Sequence, residues 1–268
     1  MGHTEGAIDL MKCAGLKPAA VLSEVMNEDG TMANGKTLDF FSKTHHIPMV
    51  TIEDLIHYRL QHENLIDASA DAHLPLEEYG DFKITVIKEK INNLEHIVLT
   101  NDAIRSTKPL LVRIHSACMT GDLFSSSRCD CHQQLHYALK RISKEGGILI
   151  YLNQEGRGIG LLNKIKAYHL QEQGYDTVEA NQKLALPIDA RKYYLAASLL
   201  KEKQIYTIRL LTNNPDKVNG LKQFGITQIE QITLPTFCNP HNHHYLTTKQ
   251  KKLNHSIQID KEEIKVCQ

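Results

Sequence analysis

The sequence lacks an excess of charge of either sign. Its 31 Lys and Arg residues balance its 31 Asp and Glu residues, so bulk charge points neither to a nucleic acid nor to an anionic membrane as a partner. The balance does not exclude a nucleotide ligand, because a local cluster of cations is enough to bind one. We therefore expect no nucleic-acid partner.

Long apolar runs are also missing. No stretch approaches the roughly 18–20 apolar residues needed to span a bilayer. The N-terminal sequence MGHTEGAIDLMKC has an early acidic residue and neither the basic nor the apolar region of a signal peptide. Six cysteines in 268 residues, three of them clustered, are typical of reduced thiols. These features predict a cytoplasmic protein that does not contact a membrane, long enough for one large domain or two smaller ones.

Three cysteines lie close together in the chain, at Cys118, Cys129 and Cys131. Thiolates suit soft or borderline divalent ions, of which zinc is the usual one. Three protein ligands leave a position for water, whereas four close a structural site. The pattern predicts a metal site that is either open or closed by His115 or His132, with ordinary buried thiols as the alternative.

The first 60 residues carry helix and turn signals. We predict helices at 5–16, 37–46 and 51–60, a strand at 20–26 and a polar turn at 27–35. Thr51 is the expected N-cap of the third helix, and Asp54 stands at its capping-box position. The chain opens with no element to pack against, which indicates a part cut from something larger.

Beyond a predicted linker at 61–80, strand and helix signals alternate, which predicts an α/β architecture of the mixed α+β kind. Strands are predicted at 82–87, 96–99, 110–115, 147–152 and 206–211, and helices at 133–145, 161–173, 189–201 and 214–224. The stretch from Pro235 is polar and rich in His and Lys, so we expect a mobile arm. The expected divisions are 1–65, 66–235 and a C-terminal arm at 236–268.

The loop NQEGRGIG, at 153–160, joins a predicted buried strand to a helix. Its glycines allow the backbone to approach a ligand, and the helix N-terminus attracts anions. The loop has neither P-loop nor dinucleotide-binding spacing, and a plain turn explains it almost as well. Arg157 favours an anion site, because a guanidinium binds phosphate oxygens in pairs.

Other segments allow two interpretations each. Asp189 is either an N-cap or part of a site with Arg191, which is otherwise a surface residue. The turn at 212–217 offers a second phosphate contact, or only a cap at Asn214. The segment at 176–181 either reads a purine edge or forms turn bonds. The C-terminal segment offers a further candidate metal site, built from Cys238, His241, His243 and His244. This hypothesis is weaker because the segment is expected to be flexible.

Six motifs together closely resemble GTP cyclohydrolase II of riboflavin biosynthesis. They read VRIHSAC-MTGD, RCDC-HQQL, LNQEGRGIGL-NKIKAY-LQ, DTVEAN, DARKY and RLLTNNPDK, and the likeness runs from about Leu74 to Leu253. The first 60 residues resemble the C-terminal part of 3,4-dihydroxy-2-butanone-4-phosphate synthase, which is commonly fused ahead of the cyclohydrolase. The resemblance implies a cyclohydrolase-like domain that follows a truncated α/β remnant without synthase activity of its own, in which His3 matches one metal ligand.

The resemblance also implies a reaction and a site. GTP would lose C8 as formate and its terminal phosphates as pyrophosphate, giving 2,5-diamino-6-(5-phosphoribosylamino)pyrimidin-4-one. Zinc would be bound by the three clustered cysteines, Arg191 would be the nucleophile on the α-phosphorus, Asp189 its proton acceptor, and Tyr168 would lie near the base. Magnesium would accompany the triphosphate, and the chain would form a homodimer. The implied substrate-binding residues are Arg113, Gln134, Glu155, Gly156, Arg157, Thr177, Thr212 and Lys217, and we add His115, which flanks the cysteines.

Three positions depart from the family pattern. Ala117 stands where a Glu is usual, His132 where a Gly is usual, and Asn153 where an Arg is usual. An active zinc-dependent cyclohydrolase is our first hypothesis. A GTP-binding homologue with little turnover is the second, and a zinc-stabilised structural or nucleic-acid-binding module is the third.

Overall fold

The structure is a computed structural model that describes residues 2–102 and 108–258. Three parts of the chain lie outside the described residues, namely Met1, 103–107 and 259–268. Each of the three predicted divisions contains one of them. The chain divides into two compact units, 1–63 and 64–268. Among the described residues, no helix combines the length and the apolar character that crossing a membrane requires.

The first unit contains three helices, α1 (His3–Cys13), α2 (Gly35–His45) and α3 (Ile52–His62). All three are confirmed, and Thr51 and Asp54 form the expected capping box. An ion pair between Arg59 of α3 and Asp9 of α1 joins two of the helices. The predicted strand at 20–26 is wrong, because these residues form only an isolated bridge from Met26 to Met32. Val21 is 99% exposed, so this apolar run has no surface in the described part of the unit to pack against.

The second unit is built on one mixed sheet of seven strands in the order β1-β2-β3-β5-β4-β6-β7. The first four strands in this order pair antiparallel, and β5, β4, β6 and β7 pair parallel. The strands are β1 (Ile66–Leu76), β2 (Gly80–Glu89), β3 (Glu95–Asn101), β4 (Leu110–Ser116), β5 (Gly147–Leu152), β6 (Thr207–Leu211) and β7 (Gln228–Ile232). The mixed α/β class is confirmed.

Six α-helices accompany the sheet in the described residues of the second unit. They are α4 (Cys131–Glu145), α5 (Leu161–Glu172), α6 (Thr177–Lys183), α7 (Tyr194–Glu202), α8 (Pro215–Gln223) and α9 (His243–Lys252). The apolar face of α4, with Ala138, Leu139 and Ile142, packs in a core cluster with Leu111 and Leu149 of the sheet. This packing fixes the ends of β4 and β5 relative to the start of α4, where the predicted site residues lie.

Three predictions for this unit are wrong. Residues 61–80 are not a linker, because β1 pairs along its length with β2, for example Leu74 with Phe82. The helix predicted to start at 189 begins at Tyr194. The expected mobile arm contains α9, with Leu246 fully buried, inside the same compact unit.

Candidate functional site

An open cavity of about 1080 Å³ lies beside the carboxyl ends of the parallel strands β4, β5 and β6. This is the edge at which open α/β sheets commonly bind ligands. Each strand is followed by a segment that lines the cavity, at 116–118, 155–159 and 212–214. All but one of the predicted site residues line it, namely Arg113, His115, Cys118, Cys129, Cys131, Gln134, Glu155, Gly156, Arg157, Tyr168, Thr177, Arg191, Thr212 and Lys217.

The three clustered cysteines meet at one end of the cavity. Cys118 follows β4, whereas Cys129 and Cys131 stand at the start of α4, and their sulfur atoms lie within 4.8 Å of one another. Gly121 makes room for them, since a Cβ there would lie 2.8 Å from the Cys129 Sγ and 3.0 Å from the Cys118 Sγ. Within the described residues this is the one group of three or more such side chains that can hold a metal ion.

Neither histidine that might close the site joins the cysteines. His132 Nδ1 lies 3.3 Å from the Ser125 hydroxyl, and its ring centroid lies 4.1 Å from that of His136, with the two rings tilted by 38°. His115 Nε2 lies 3.1 Å from both carboxylate oxygens of Asp122. The geometry therefore corresponds to three protein ligands among the described residues.

Asp122 fixes the turn that carries Cys118. It accepts hydrogen bonds from the Cys118 backbone N–H at 3.0 Å and from the Tyr151 hydroxyl at 2.9 Å. Burial lowers the pKa of His115 despite this contact with a carboxylate. Asp122 and Tyr151 were not predicted from the sequence, although Asp122 belongs to the MTGD motif.

Lys164 is a further site residue that the sequence analysis missed. Its ammonium donates to the Cys118 Sγ at 3.1 Å and to Glu155 Oε1 at 2.8 Å. Burial opposes the charged amine, but Glu155 and Cys118 outweigh it and raise the pKa of Lys164. The neighbouring thiols of Cys129 and Cys131, together with Lys164, lower the pKa of Cys118. One thiolate is thus stabilised in the cluster before a cation is considered.

The loop after β5 has the shape of an anion site. Gly156 and Arg157 both adopt positive φ, at 61° and 60°, and Ala190 donates its backbone N–H to the Arg157 carbonyl at 3.0 Å. A Cβ at Gly158 would lie 3.0 Å from the Ala190 backbone, so this close approach requires glycine. Both terminal nitrogens of Arg157 are buried without a hydrogen-bond partner among the described residues. A cation held in this way is ready to bind an acceptor from outside the chain.

Asp189 does not cap a helix and does not line the cavity. Its carboxylate accepts from the Arg191 backbone N–H at 3.0 Å and from Arg191 Nε at 2.9 Å. Burial opposes ionisation of Asp189, but Arg191 outweighs it, and the pKa of this carboxyl falls below its usual value. The side-chain amide of Gln154 donates to the Lys192 carbonyl at 2.7 Å and accepts from the Lys192 backbone N–H at 3.1 Å, so these bonds hold the Arg191 segment against the loop after β5.

The turn after β6 brings a hydroxyl and a cation to the cavity. Asn214 caps α8, with Pro215 in the first turn as predicted. Thr212 and Lys217 are buried, and the Lys217 ammonium donates to the Ile114 carbonyl at 2.7 Å. Burial lowers the pKa of Lys217, and the charges of Arg113 and Arg191 lower it further. The N-cap at Asn214 and the cavity-lining side chains of Thr212 and Lys217 therefore belong to the same turn.

Arg113 and Gln134 connect this turn to the cysteines. Arg113 donates to the Leu211 carbonyl at 2.9 Å and to Gln134 Oε1 at 2.7 Å. Gln134 in turn donates to Asp130 Oδ2 at 2.6 Å, between Cys129 and Cys131 in the chain. Burial lowers the pKa of Arg113 to about 10.

The segment 176–181 forms the turn bonds that were one of the two interpretations made from its sequence. Asp176 is the N-cap of α6 and accepts from Val178 and Glu179 backbone N–H groups at 2.8 and 3.0 Å. Thr177 and Asn181 line the cavity, and Asn181 Oδ1 is buried without a partner among the described residues. This end of the cavity therefore offers a hydrogen-bond acceptor.

Tyr168 lines the cavity and contacts the turn that follows Cys118. Its hydroxyl is 3.3 Å from Thr120 Oγ1, and the Arg128 guanidinium lies 4.7 Å from its ring centroid. Burial raises the pKa of Tyr168 to about 12, so the phenol stays neutral near pH 7.

The C-terminal residues also contribute to the cavity, which sequence analysis did not predict. Tyr245, Lys249 and His255 line it. The alternative metal site near Cys238 does not form, because within 2–102 and 108–258 only the cysteine cluster brings three such side chains together.

Of the three unusual positions, one lines the cavity. Ala117 lines the cavity beside Cys118. Asn153 is exposed, and its backbone N–H donates to the buried His96 Nδ1 at 3.0 Å at the start of the loop after β5.

The fold and the site define an α/β protein with a metal-binding cysteine cluster beside a cation-lined cavity. The chain belongs to the GTP cyclohydrolase II family, whose sequence profile matches residues 67–233. Residues 1–58 match the sequence profile of the 3,4-dihydroxy-2-butanone 4-phosphate synthase family. Both resemblances found in the sequence are thereby confirmed.

Curated relatives carry both parts in longer chains. The riboflavin biosynthesis protein RibBA of Bacillus cereus is 48% identical over 259 residues, which are 96% of this chain and 65% of the relative. That of Aquifex aeolicus is 48% identical over 256 residues, 95% of this chain and 63% of the relative. The RibBA protein of Staphylococcus aureus is 50% identical over 256 residues, which are 96% of this chain and 64% of the relative. The chain thus spans a little under two thirds of these relatives.

Solved structures share the fold. One of them is RibBX from A. baumannii, described as a two-domain 3,4-dihydroxy-2-butanone 4-phosphate synthase, with 24% identity and a TM-score of 0.54. The match covers 88% of this chain and 60% of that one. At this identity the likeness concerns the fold alone.

Proposed function

We propose that the chain hydrolyses GTP to 2,5-diamino-6-(5-phosphoribosylamino)pyrimidin-4-one, formate and pyrophosphate, the first step of riboflavin biosynthesis. Membership of the GTP cyclohydrolase II family supports this reaction. The observation that carries the proposal is that one cavity holds both the cysteine cluster and the unpartnered guanidinium of Arg157. A metal for the ring and cations for the phosphates are the two things this substrate requires.

Zinc fits the cysteine cluster. Cys118, Cys129 and Cys131 are soft ligands at mutual distances that one ion can bridge, and Gly121 leaves them the room. Zinc bound there would supply Lewis-acid chemistry at C8 of the guanine ring. Cys129, Cys131 and then Lys164 lower the pKa of Cys118, and Asp122 accepts from the Cys118 backbone N–H. The protein thus prepares the ligands before the ion arrives.

The cationic part of the cavity suits the triphosphate. Arg157 presents two free donors, and Thr212 and Lys217 stand at the turn after β6. Arg113 connects this turn to the cysteines, because it donates to the Leu211 carbonyl just before the turn and to the side chain of Gln134 in α4. We assign phosphate and ribose contacts to these groups, and we expect magnesium to accompany the triphosphate.

The guanine ring would be read near α6 and Tyr168. Asn181 Oδ1 offers an acceptor to the amide and amino donors of guanine, and Thr177 stands beside it in the cavity wall. The phenol of Tyr168 remains protonated and can donate one hydrogen bond. His115, Glu155 and Gly156 complete the proposed substrate contacts, as lining residues of the same wall.

Arg191 and Asp189 would act on the α-phosphorus. The contacts that join them use Arg191 Nε and Nη2, so Nη1 is the terminal nitrogen not engaged by Asp189. As a nucleophile, an Arg191 nitrogen would form a bond to the α-phosphorus while the bond from that phosphorus to the pyrophosphate oxygen breaks, and the proton that the nitrogen loses would pass to the Asp189 carboxylate. Without bond formation, the same guanidinium would stabilise charge on the phosphate.

A GTP-binding homologue with little turnover is the second candidate. It is favoured by Ala117, which lines the cavity where the family usually has a carboxylate. Such a protein would bind zinc and GTP without releasing formate. We also expect a homodimer, and no synthase activity from residues 1–58 alone; formation of 3,4-dihydroxy-2-butanone 4-phosphate by the purified chain would contradict the latter.

The experiment is product analysis of GTP incubated with the zinc-loaded chain and magnesium. Mass spectrometry should detect the diaminopyrimidine phosphate together with equal amounts of formate and pyrophosphate. Binding of GTP without any of these products would favour the second candidate. An absence of both GTP binding and products would overturn both.

A further inference from the structure

The C-terminal segment 239–257 is fastened to the cavity at several points. Asn242 is fully buried and donates to the Phe237 carbonyl at 2.8 Å. The Ser256 backbone N–H donates to the Asn213 carbonyl at 2.8 Å, next to the turn after β6. Lys252 forms an ion pair with Asp176, the N-cap of α6. The segment is therefore a wall of the cavity rather than a polar tail.

Lys249 is the residue that this wall directs inward. It is buried, lines the cavity, and donates to Asp130 Oδ1 at 3.0 Å. Its ammonium also lies 4.3 Å from the centroid of the Tyr245 ring. A lysine is rarely buried unless its charge is paired with another group. Asp130 accepts one of its three N–H bonds, and an ammonium has two more to donate.

A second basic group, the Arg157 guanidinium, lies close to Lys249, and its terminal nitrogens have no hydrogen-bond partner among the described residues. The Arg157 guanidinium lies 5.6 Å from the centroid of the same Tyr245 ring. The nearby imidazole of His255 is held neutral, since burial and then the charges of Lys249, Arg191, Arg157 and Lys217 lower its pKa to about 2. Lys249 and Arg157 thus place two basic groups at one tyrosine ring. Like charges gathered in this way repel one another, and an anionic ligand with several charges relieves the repulsion.

We propose that Lys249 is a further substrate-contacting residue, which binds the polyphosphate of the nucleotide from the C-terminal wall. This inference rests on the proposed function and adds to it a phosphate contact made by α9. Asp130 and Tyr245 hold the ammonium in place before the ligand arrives, so little conformational entropy is lost on binding. Asp130 also links Lys249 through Gln134 to Arg113, so both ends of this chain of contacts reach the cavity.

The competing explanation is that Lys249 only neutralises Asp130 and so supports the turn between Cys129 and Cys131. The two explanations differ in what they predict for a ligand that has phosphates and no base. A phosphate contact affects the binding of inorganic triphosphate, whereas a support for the cysteines affects zinc content.

The test uses the full, zinc-loaded chain and measures binding of inorganic triphosphate by calorimetry, zinc content by metal analysis, and formate release from GTP. The variants are Lys249→Ala and the matched control Lys251→Ala, which changes an exposed lysine of the same helix. Loss of one charge-assisted contact should weaken triphosphate binding by roughly 10- to 100-fold in Lys249→Ala. Lys251→Ala should bind it as the unaltered chain does.

Lys249→Ala leaves a buried carboxylate without its cation, which can itself disturb the fold. The double variant Lys249→Met with Asp130→Asn removes both charges. It should retain zinc and still bind triphosphate at least tenfold more weakly. Unchanged triphosphate binding in a zinc-loaded variant would overturn the inference, and so would loss of zinc from the double variant.

The outcome for the proposed function is separate. Formate release by the unaltered chain, with triphosphate binding insensitive to Lys249, would overturn this inference alone. Triphosphate binding that depends on Lys249, without formate release, would support the phosphate contact and contradict the cyclohydrolase reaction. No triphosphate binding by the unaltered chain would overturn the inference.

Discussion

Asp189 holds Arg191 by both its backbone and its side chain. One carboxylate oxygen accepts from the Arg191 backbone N–H at 3.0 Å and from Nε at 2.9 Å, and the other accepts from Nη2. A guanidinium bound in this way has one orientation, and the exchange of hydrogen bonds between Gln154 and Lys192 fixes that orientation relative to Arg157. The arrangement places a rigid cation in the cavity wall.

Replacing Arg191 with alanine should remove turnover and spare the metal. Arg191 makes no hydrogen bond to the cysteines among the contacts of the described residues, so Arg191→Ala should bind one zinc. Loss of a preorganised charge on the reacting phosphate should lower kcat by roughly 10²–10³-fold. Steady-state formate release and metal analysis check both parts. Lys192→Ala, an exposed neighbour, is the control; full turnover in Arg191→Ala would refute the assignment.

Gly121→Ala should weaken metal binding without changing a single ligand. The added Cβ would lie 2.8 Å from the Cys129 Sγ and 3.0 Å from the Cys118 Sγ, so the sulfur atoms must shift. Overpacking of this kind costs about 1–3 kcal/mol, which lowers zinc affinity by roughly 10- to 100-fold. Competition with a chromogenic chelator measures it. Met119→Ala, an exposed position of the same turn, should leave affinity unchanged.

His132→Gly should leave the zinc site intact. His132 contacts Ser125 and His136 and is not part of the cysteine group. X-ray absorption of the zinc-loaded chain should give the same three-sulfur spectrum, without imidazole scattering from His132, before and after substitution. A spectrum that loses a nitrogen ligand in the variant would mean that His132 binds the ion.

Glu89 should make stability depend on pH below the ordinary pKa of a glutamate. Burial opposes its charge, but hydrogen bonds with His96 and Tyr194 outweigh burial and lower its pKa. A carboxyl whose pKa is lower in the folded state stabilises the fold above its unfolded pKa. That stability is lost as the pH falls through the folded value.

Glu89→Gln should therefore reduce the free energy of unfolding by roughly 1–3 kcal/mol at pH 7 and by less near pH 4. Urea denaturation at both pH values checks this, read as the difference from the unaltered chain. Glu95→Gln, an exposed glutamate of β3, should show no such difference. An equal loss at both pH values would contradict the ionised network.

Predictions from the sequence succeeded where the signal is local. The cysteines, the glycine loop and the Asn214-Pro215 start of α8 carry their chemistry in adjacent residues, and the structure brings the predicted residues into one cavity. The failures depend on partners distant in sequence. β1 has few β-branched residues and forms because β2 supplies its hydrogen bonds.

Two further failures concern polar residues. Asp189 precedes a helical pattern, yet it binds Arg191 instead of capping, and Tyr194 begins the helix. Lys249 stands in a run of polar residues whose periodicity does not indicate burial, and its partner Asp130 lies 119 positions away in the chain. Buried ion pairs of this kind leave no pattern in a single stretch of sequence.

Formate release from GTP by the zinc-loaded chain, beside Cys129→Ser, tests the central claim most directly. The control is Cys13→Ser, which changes an exposed cysteine of the first unit. We predict that the unaltered chain and Cys13→Ser release formate and pyrophosphate in equal amounts, and that Cys129→Ser loses zinc and activity together. No formate from the unaltered chain with one zinc bound, or undiminished release by zinc-free Cys129→Ser, would contradict the account.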